Sequence, residues 1–125
     1  MPQTNVVFFC NIDGSCPFLH WFNLLSIEVQ DKCIVRLERL AEKGHELRRP
    51  EADLLRNGIY ELRASRAGVH YRILYFFHEN DAVIWNGIIK ESKVPDIEIQ
   101  RALQAKALYV TNPRTYTYAE NHESQ

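Results

Sequence analysis

No hydrophobic run in the 125 residues approaches the ~20 that a membrane-spanning helix requires, so no bilayer span is expected. Cysteine is scarce: Cys10, Cys16 and Cys33 are an odd number, with no CxxC spacing and no neighbouring histidine cluster. A disulfide framework and a zinc site are therefore not expected, and reduced, mostly buried thiols are. Charge of one sign is not in excess either. Fifteen Lys and Arg against 16 Asp and Glu leave a net charge of −1, which argues against a protein that coats nucleic acid indiscriminately. The early run VVFFC has no basic leader and gives way to Asn11, Asp13 and Gly14, so a signal peptide is not expected and the chain is placed in the cytoplasm. Repeats and internal linkers are missing too. The length suits one domain over residues 1–110, and the stretch 111–125, which lacks an apolar period, reads as a mobile tail.

The charge that is present is unevenly spread. Residues 1–35 carry one base against three acids, residues 36–72 nine against six, and residues 73–125 five against seven. A solvated helix followed by a polar loop fits that count, and so does a basic surface; position has to decide.

Punctuation along the chain outlines the elements. Asn5 to Cys10 is β-like, and Ser15 with Pro17 opens a helix through PFLHWFNLL. Ser26 caps a second helix from Ile27 to Lys43, with Cys33, Leu37, Leu40 and Ala41 on one stripe and Gly44 as its stop. HELRRPEADLLRNG reads as a loop. Three strands follow, Ile59 to Ala64, Val69 to Phe77 and Ala82 to Ile89, with links short enough for an antiparallel meander. Asp96 is expected to cap a last helix running to about Tyr109. The fold class is thus α+β.

The stretch GVHYRILYFF, residues 68–77, raises the functional question. With period two, Val69, Tyr71, Ile73, Tyr75 and Phe77 share one face, and His70, Arg72, Leu74, Phe76 and His78 the other. Arginine is seldom fully buried unless paired, so Arg72 is salt-bridged, solvated or aimed at an anion. If Leu62 pairs with Tyr71, Arg63 lies opposite His70 and Glu61 opposite Arg72. That register allows a simple cross-strand ion pair, and it also gathers a cationic set on one face.

The strings LRRP (47–50), GIYELR (58–63), HYRILYFF (70–77), NGIIKESKVP (86–95) and EIQRA (98–102) occur in an order and spacing that resembles the phage-derived HigB-like branch of the RelE/ParE toxin superfamily. The resemblance implies two N-terminal helices packed on a twisted antiparallel sheet with a C-terminal helix. It also implies a toxin of a type II toxin–antitoxin pair, many of which are ribosome-dependent mRNA endonucleases held silent by a helix-turn-helix antitoxin. Cleavage of RNA through its own 2′-hydroxyl needs a proton acceptor, stabilisation of the crowded phosphate and a proton for the leaving oxygen, and demands no metal or other cofactor. By that resemblance Arg63, Arg72 and Lys90 hold phosphate, with Arg48, Arg49, Arg66 and Lys93 as further RNA contacts; His70, the only histidine of the cluster and on its face by alternation, is preferred to move protons. Tyr116, Tyr118 and His122 are the competing proton carriers, since some similar toxins use a terminal aromatic. Asn86-Gly87-Ile88 replaces a common His-Gly-Phe, and Glu91 follows Lys90 where a second base is usual. The other reading of the same superfamily is a ParE-like toxin that blocks a protein target such as DNA gyrase, or a remnant that only binds its antitoxin.

Overall fold

A computed structural model of the chain describes residues 4–90 and 93–119. In order they form strand β1 (Asn5–Phe8), helices α1 (Pro17–Asn23) and α2 (Ile27–Lys43), a short 3-10 turn (Gly44–Glu46), strands β2 (Ala52–Arg56), β3 (Ile59–Arg66), β4 (Val69–His78) and β5 (Asp81–Ile89), and helix α3 (Asp96–Thr111). The strands make one sheet in the order β1-β5-β4-β3-β2. The α+β fold and the meander of the three central strands are as expected from the sequence. The sheet as a whole is mixed, because β1 runs parallel to β5 while the other pairings are antiparallel.

Two features depart from the reading of the loops. The stretch after the 3-10 turn contains a strand, β2, which pairs with β3 across Asn57-Gly58. Both turn residues have positive φ, 52° and 83°, the geometry whose twist matches that of the flanking strands. The stretch after α3, expected to be a mobile tail, is bound to β1 through Tyr118. Thr117 bridges Phe9, the Tyr118 N–H donates to the Phe8 carbonyl (2.7 Å) and the Cys10 N–H donates to the Tyr116 carbonyl (2.9 Å). Those bonds satisfy backbone groups that an edge strand otherwise leaves open.

Helices α1 and α2 cover one face of the sheet and α3 the other. On the first side Phe18, Val29, Cys33 and Leu40 pack with Leu62, Ile73, Tyr75 and Ile84; on the second Ile99, Ala102, Ala105 and Tyr109 pack with Ile59, Leu74, Phe76 and Val83. Strand β4 is therefore buried on both faces over Ile73–Phe76, which accounts for its unbroken apolar stretch. Ser26 caps α2 by accepting from the Val29 N–H (3.4 Å). Asp96 does not cap α3: Pro95 is the N-cap, and Asp96 sits in the first turn, where it pairs with Arg56 and accepts from Gln100 Nε2 (3.1 Å). Among the described residues no helix is long and apolar enough to cross a membrane.

Gly87 fixes how closely α1 approaches the sheet. The Trp21 ring lies directly on it, and a Cβ built there falls inside the ring's van der Waals envelope. Gly87→Ala is expected to lift Trp21 and destabilise the fold by ~1–3 kcal/mol, as overpacking of a tight contact does. Thermal melting checks this, and an unchanged melting temperature would contradict the close contact.

Candidate functional site

The register of β3 on β4 differs from expectation by two residues, and the shift decides which charges meet. Leu62 pairs with Ile73 instead of Tyr71, so Arg63 stands directly opposite Arg72 and Ser65 opposite His70. A two-residue slip preserves faces. Glu61, Arg63, His70 and Arg72 thus remain together, on the side away from Tyr71 and Ile73, and line an open cleft of about 400 Å³ with Asp53 and Lys93. Leu55 and Val94 supply its apolar wall.

Charges alternate along the strands and repeat across them. Asp53 of β2 and Glu61 of β3 are direct partners on one rung, and Arg63 and Arg72 on the next. Like charges facing each other across a pair of strands repel, so each rung depends on the other. Glu61, only 3% exposed, receives Arg63 Nε on Oε2 (2.7 Å) and Arg72 Nε on Oε1 (3.4 Å). Burial of an isolated carboxylate would be prohibitive, and two guanidiniums compensate for it. Both contacts run through Nε, and one terminal nitrogen of each fork is engaged as well. Arg72 Nη1 donates to the Tyr71 carbonyl (3.3 Å), and Arg63 Nη2 reaches Asp53 Oδ2 (3.4 Å). With Arg63, Arg72 and Lys93 against Asp53 and Glu61, the lining carries three positive and two negative charges, a net of one positive.

The rim is built from the segment before β2. Arg49 grips Asp53 Oδ2 through Nη2 (2.8 Å) and Nε (3.0 Å), and that hydrogen bond, ahead of other influences, holds the Asp53 carboxyl below its ordinary range. Beside it Glu51 is held low chiefly by its bond from Arg39 Nε (2.9 Å). Both folded values lie below the unfolded ones, so the stabilisation is present above the ordinary carboxylate range and is lost as pH falls below it. Acid titration followed by circular dichroism should show stability declining below about pH 4, with a smaller decline in Asp53→Asn.

The structure brings only part of the expected set together. Arg63, His70, Arg72 and Lys93 line the cleft, with His70 and Lys93 exposed. Lys90 follows the last residue of β5, its N–H donating to the His70 carbonyl (2.9 Å), which places it beside the same end of the face. Arg49 reaches the rim through Asp53. Arg48 is turned back on the 3-10 turn, donating to the carbonyls of His45 and Leu47. Arg66 falls on the opposite face by alternation and lines a separate groove of about 550 Å³ beside α2 with Asp31, Lys32 and Arg36. Tyr116 stacks on Phe9 (5.7 Å between centroids), and Tyr118 packs into the core under α1 and α2. Both belong to the segment on the outer edge of β1, three strand spacings from β4 and four from β3, and so roughly 14 Å or more across the sheet from the arginines. His122 and Glu91 lie outside the described residues.

Asp53 is the site residue that sequence reasoning missed. Its signal was the Asn57-Gly58 turn, which turns the preceding ADLLR into a strand and aligns Asp53 with Glu61. Among the described residues no group of three or more His, Cys, Asp or Glu side chains is placed to hold a metal.

No curated protein matches the chain. The profile of the phage-derived protein Gp49-like family (DUF891) matches residues 20–107, well over half of the chain and all of the sheet except β1. The chain belongs to this Gp49-like family, itself part of the RelE/ParE-like toxin superfamily.

Proposed function

We propose that this protein is the toxin of a type II toxin–antitoxin pair, of the HigB-like branch, and that it cleaves mRNA on the translating ribosome in the cytoplasm. The observation that carries this reading is the pair of arginines set directly opposite each other over one buried carboxylate, at the floor of an open cleft. Compensating Glu61 does not by itself require two guanidiniums directly opposite each other, where like charges repel. An anion with two prongs does, because two adjacent planar forks match the oxygens of a phosphodiester.

In the reaction the nucleotide's 2′-oxygen attacks its own 3′-phosphate. Arg63 and Arg72 take up the charge that accumulates on the equatorial oxygens, and their prior fixation by Glu61 removes the reorganisation that mobile side chains would need. His70, exposed on the cleft's edge, exchanges the protons. Lys93 and Lys90 draw the RNA backbone toward the cleft. The partner that silences the protein is a cognate antitoxin with a helix-turn-helix fold, which covers this cationic face.

The test is inducible expression followed by primer-extension mapping of mRNA ends. New ends within translated messages, terminating in a 2′,3′-cyclic phosphate, are expected. Growth arrest without new ends would overturn the endonuclease and leave a toxin that acts by binding.

A further inference from the structure

The connection between β1 and α1 carries two of the three cysteines, and the proposed reaction uses neither. Within it the Asn11 N–H donates to the Ser15 carbonyl (2.8 Å) and the Gly14 N–H to the Asn11 carbonyl (2.8 Å), with Gly14 at φ 89°. This is a hairpin with a three-residue loop, closed by a glycine in the left-handed region. Asn11 and Ser15 form its hydrogen-bonded rung, and Asn11 Nδ2 also donates to Ser15 Oγ (3.1 Å). Cys10 and Cys16 flank that rung on either side, the positions that continued antiparallel pairing sets opposite each other without hydrogen bonds; the Cys10 N–H points away, to the Tyr116 carbonyl (2.9 Å). Residues opposed in that way project from the same face with Cα atoms about 4.5 Å apart, within the ~4.4–6.8 Å that a disulfide spans. Alternation from Val6 and Phe8 turns the Cys10 side chain toward α1, the side on which Cys16 packs with Phe18.

The two thiols differ in access. Cys16 lines a groove of about 630 Å³ between the hairpin, α1 and β5, together with His20, Trp21 and Asn86. Cys10 is covered by the segment that follows α3, its Sγ donating to the Thr115 carbonyl (3.5 Å). All three cysteines are free and buried. Burial raises each thiol above its ordinary value, Cys33 to about 11, so they rest protonated at neutral pH.

We propose that Cys10 and Cys16 form a redox-modification site, closed to a disulfide by hydrogen peroxide that enters the groove. The Cys16 sulfur gives up its proton as it attacks one peroxide oxygen; the O–O bond breaks and that proton leaves with the other oxygen as water, giving a sulfenic acid. The Cys10 sulfur then attacks the Cys16 sulfur, and its proton leaves with the expelled hydroxyl as a second water. Two thiols and one peroxide thus give one disulfide and two waters, the sulfurs oxidised and the peroxide reduced. Closure removes the donor that Cys10 offers to Thr115, so it also frees one tether of the C-terminal segment. Cys33, enclosed on α2 away from the hairpin, takes no part.

The experiment exposes the folded, reduced protein to hydrogen peroxide, then denatures and alkylates it for mass spectrometry. One alkylated cysteine in place of three, a peptide cross-linked through Cys10 and Cys16, and full recovery with dithiothreitol are expected. Three alkylated cysteines, sulfinic acid at Cys16 without a cross-link, or a bond to Cys33 would overturn the site. In Cys10→Ser, dimedone should trap a sulfenic acid at Cys16; trapping at Cys33 would refute entry through the groove.

Discussion

Arg72→Ala is expected to abolish growth arrest and to lower cleavage of translated mRNA by ~100-fold to 1,000-fold, the loss that follows removal of one preorganised donor to a developing anion. The fold should survive. Although Arg72 is mostly buried, without it Glu61 keeps its shorter bond from Arg63, 2.7 Å against 3.4 Å, so the carboxylate is not left alone. The stability cost should be ~1–3 kcal/mol, the scale of one covered charge-assisted bond whose carboxylate keeps its other partner. Arg72→Lys keeps the charge and loses the fork, and an intermediate activity is expected. Primer extension and growth curves read the activity, and thermal melting of the purified variants reads the fold. A folded Arg72→Ala protein that still arrests growth with full mRNA cleavage would remove Arg72 from the chemistry. One that arrests growth without cleavage at any time would favour the binding toxin.

Glu61→Ala is expected to do the greater structural damage. Arg63 and Arg72 would then face each other across the strand pair with no anion between them, and breaking a buried ionic arrangement from the carboxylate side costs ~3–5 kcal/mol. Asp53 offsets little of this, because its Oδ2 is 3.4 Å from Arg63 and already shared with Arg49. Glu61→Gln, which keeps an acceptor of the same shape, should recover part of the loss. The double replacement Glu61→Gln with Arg72→Met should recover more, since it removes the repulsion itself. Chemical denaturation of the wild type, Glu61→Gln, Arg72→Met and the double variant measures the coupling. If Glu61→Ala is no less stable than Arg72→Ala, Glu61 is not the keystone of the cationic pair.

Period-two alternation and short links were enough to read β3, β4 and β5 from the sequence. The three- and four-residue spacing in α2 with Ser26 before it and Gly44 after it was likewise enough, because these signals are local and the structure obeys them. For the same reason the side chosen by Arg63, His70 and Arg72 was legible: a face follows from parity and is unchanged by a slip of two. The partner within a face does not follow from parity. Whether Arg63 meets His70 or Arg72 depends on the Ala67-Gly68 turn, where an alanine accepts φ 53°, a conformation that its composition did not announce. β2 was hidden for a related reason, its charges belonging to a solvated-looking stretch until pairing with β3 placed Asp53 against Glu61. The segment after α3 has no apolar period, yet its backbone completes the edge of β1, a contact made across the whole length of the chain. The sequence by itself therefore determined the helices, the strands other than β2, their faces and the toxin superfamily. The tertiary structure alone decided the register, the parallel edge strand and the carboxylate that holds two arginines together, because each depends on hydrogen bonds between residues that no local pattern relates.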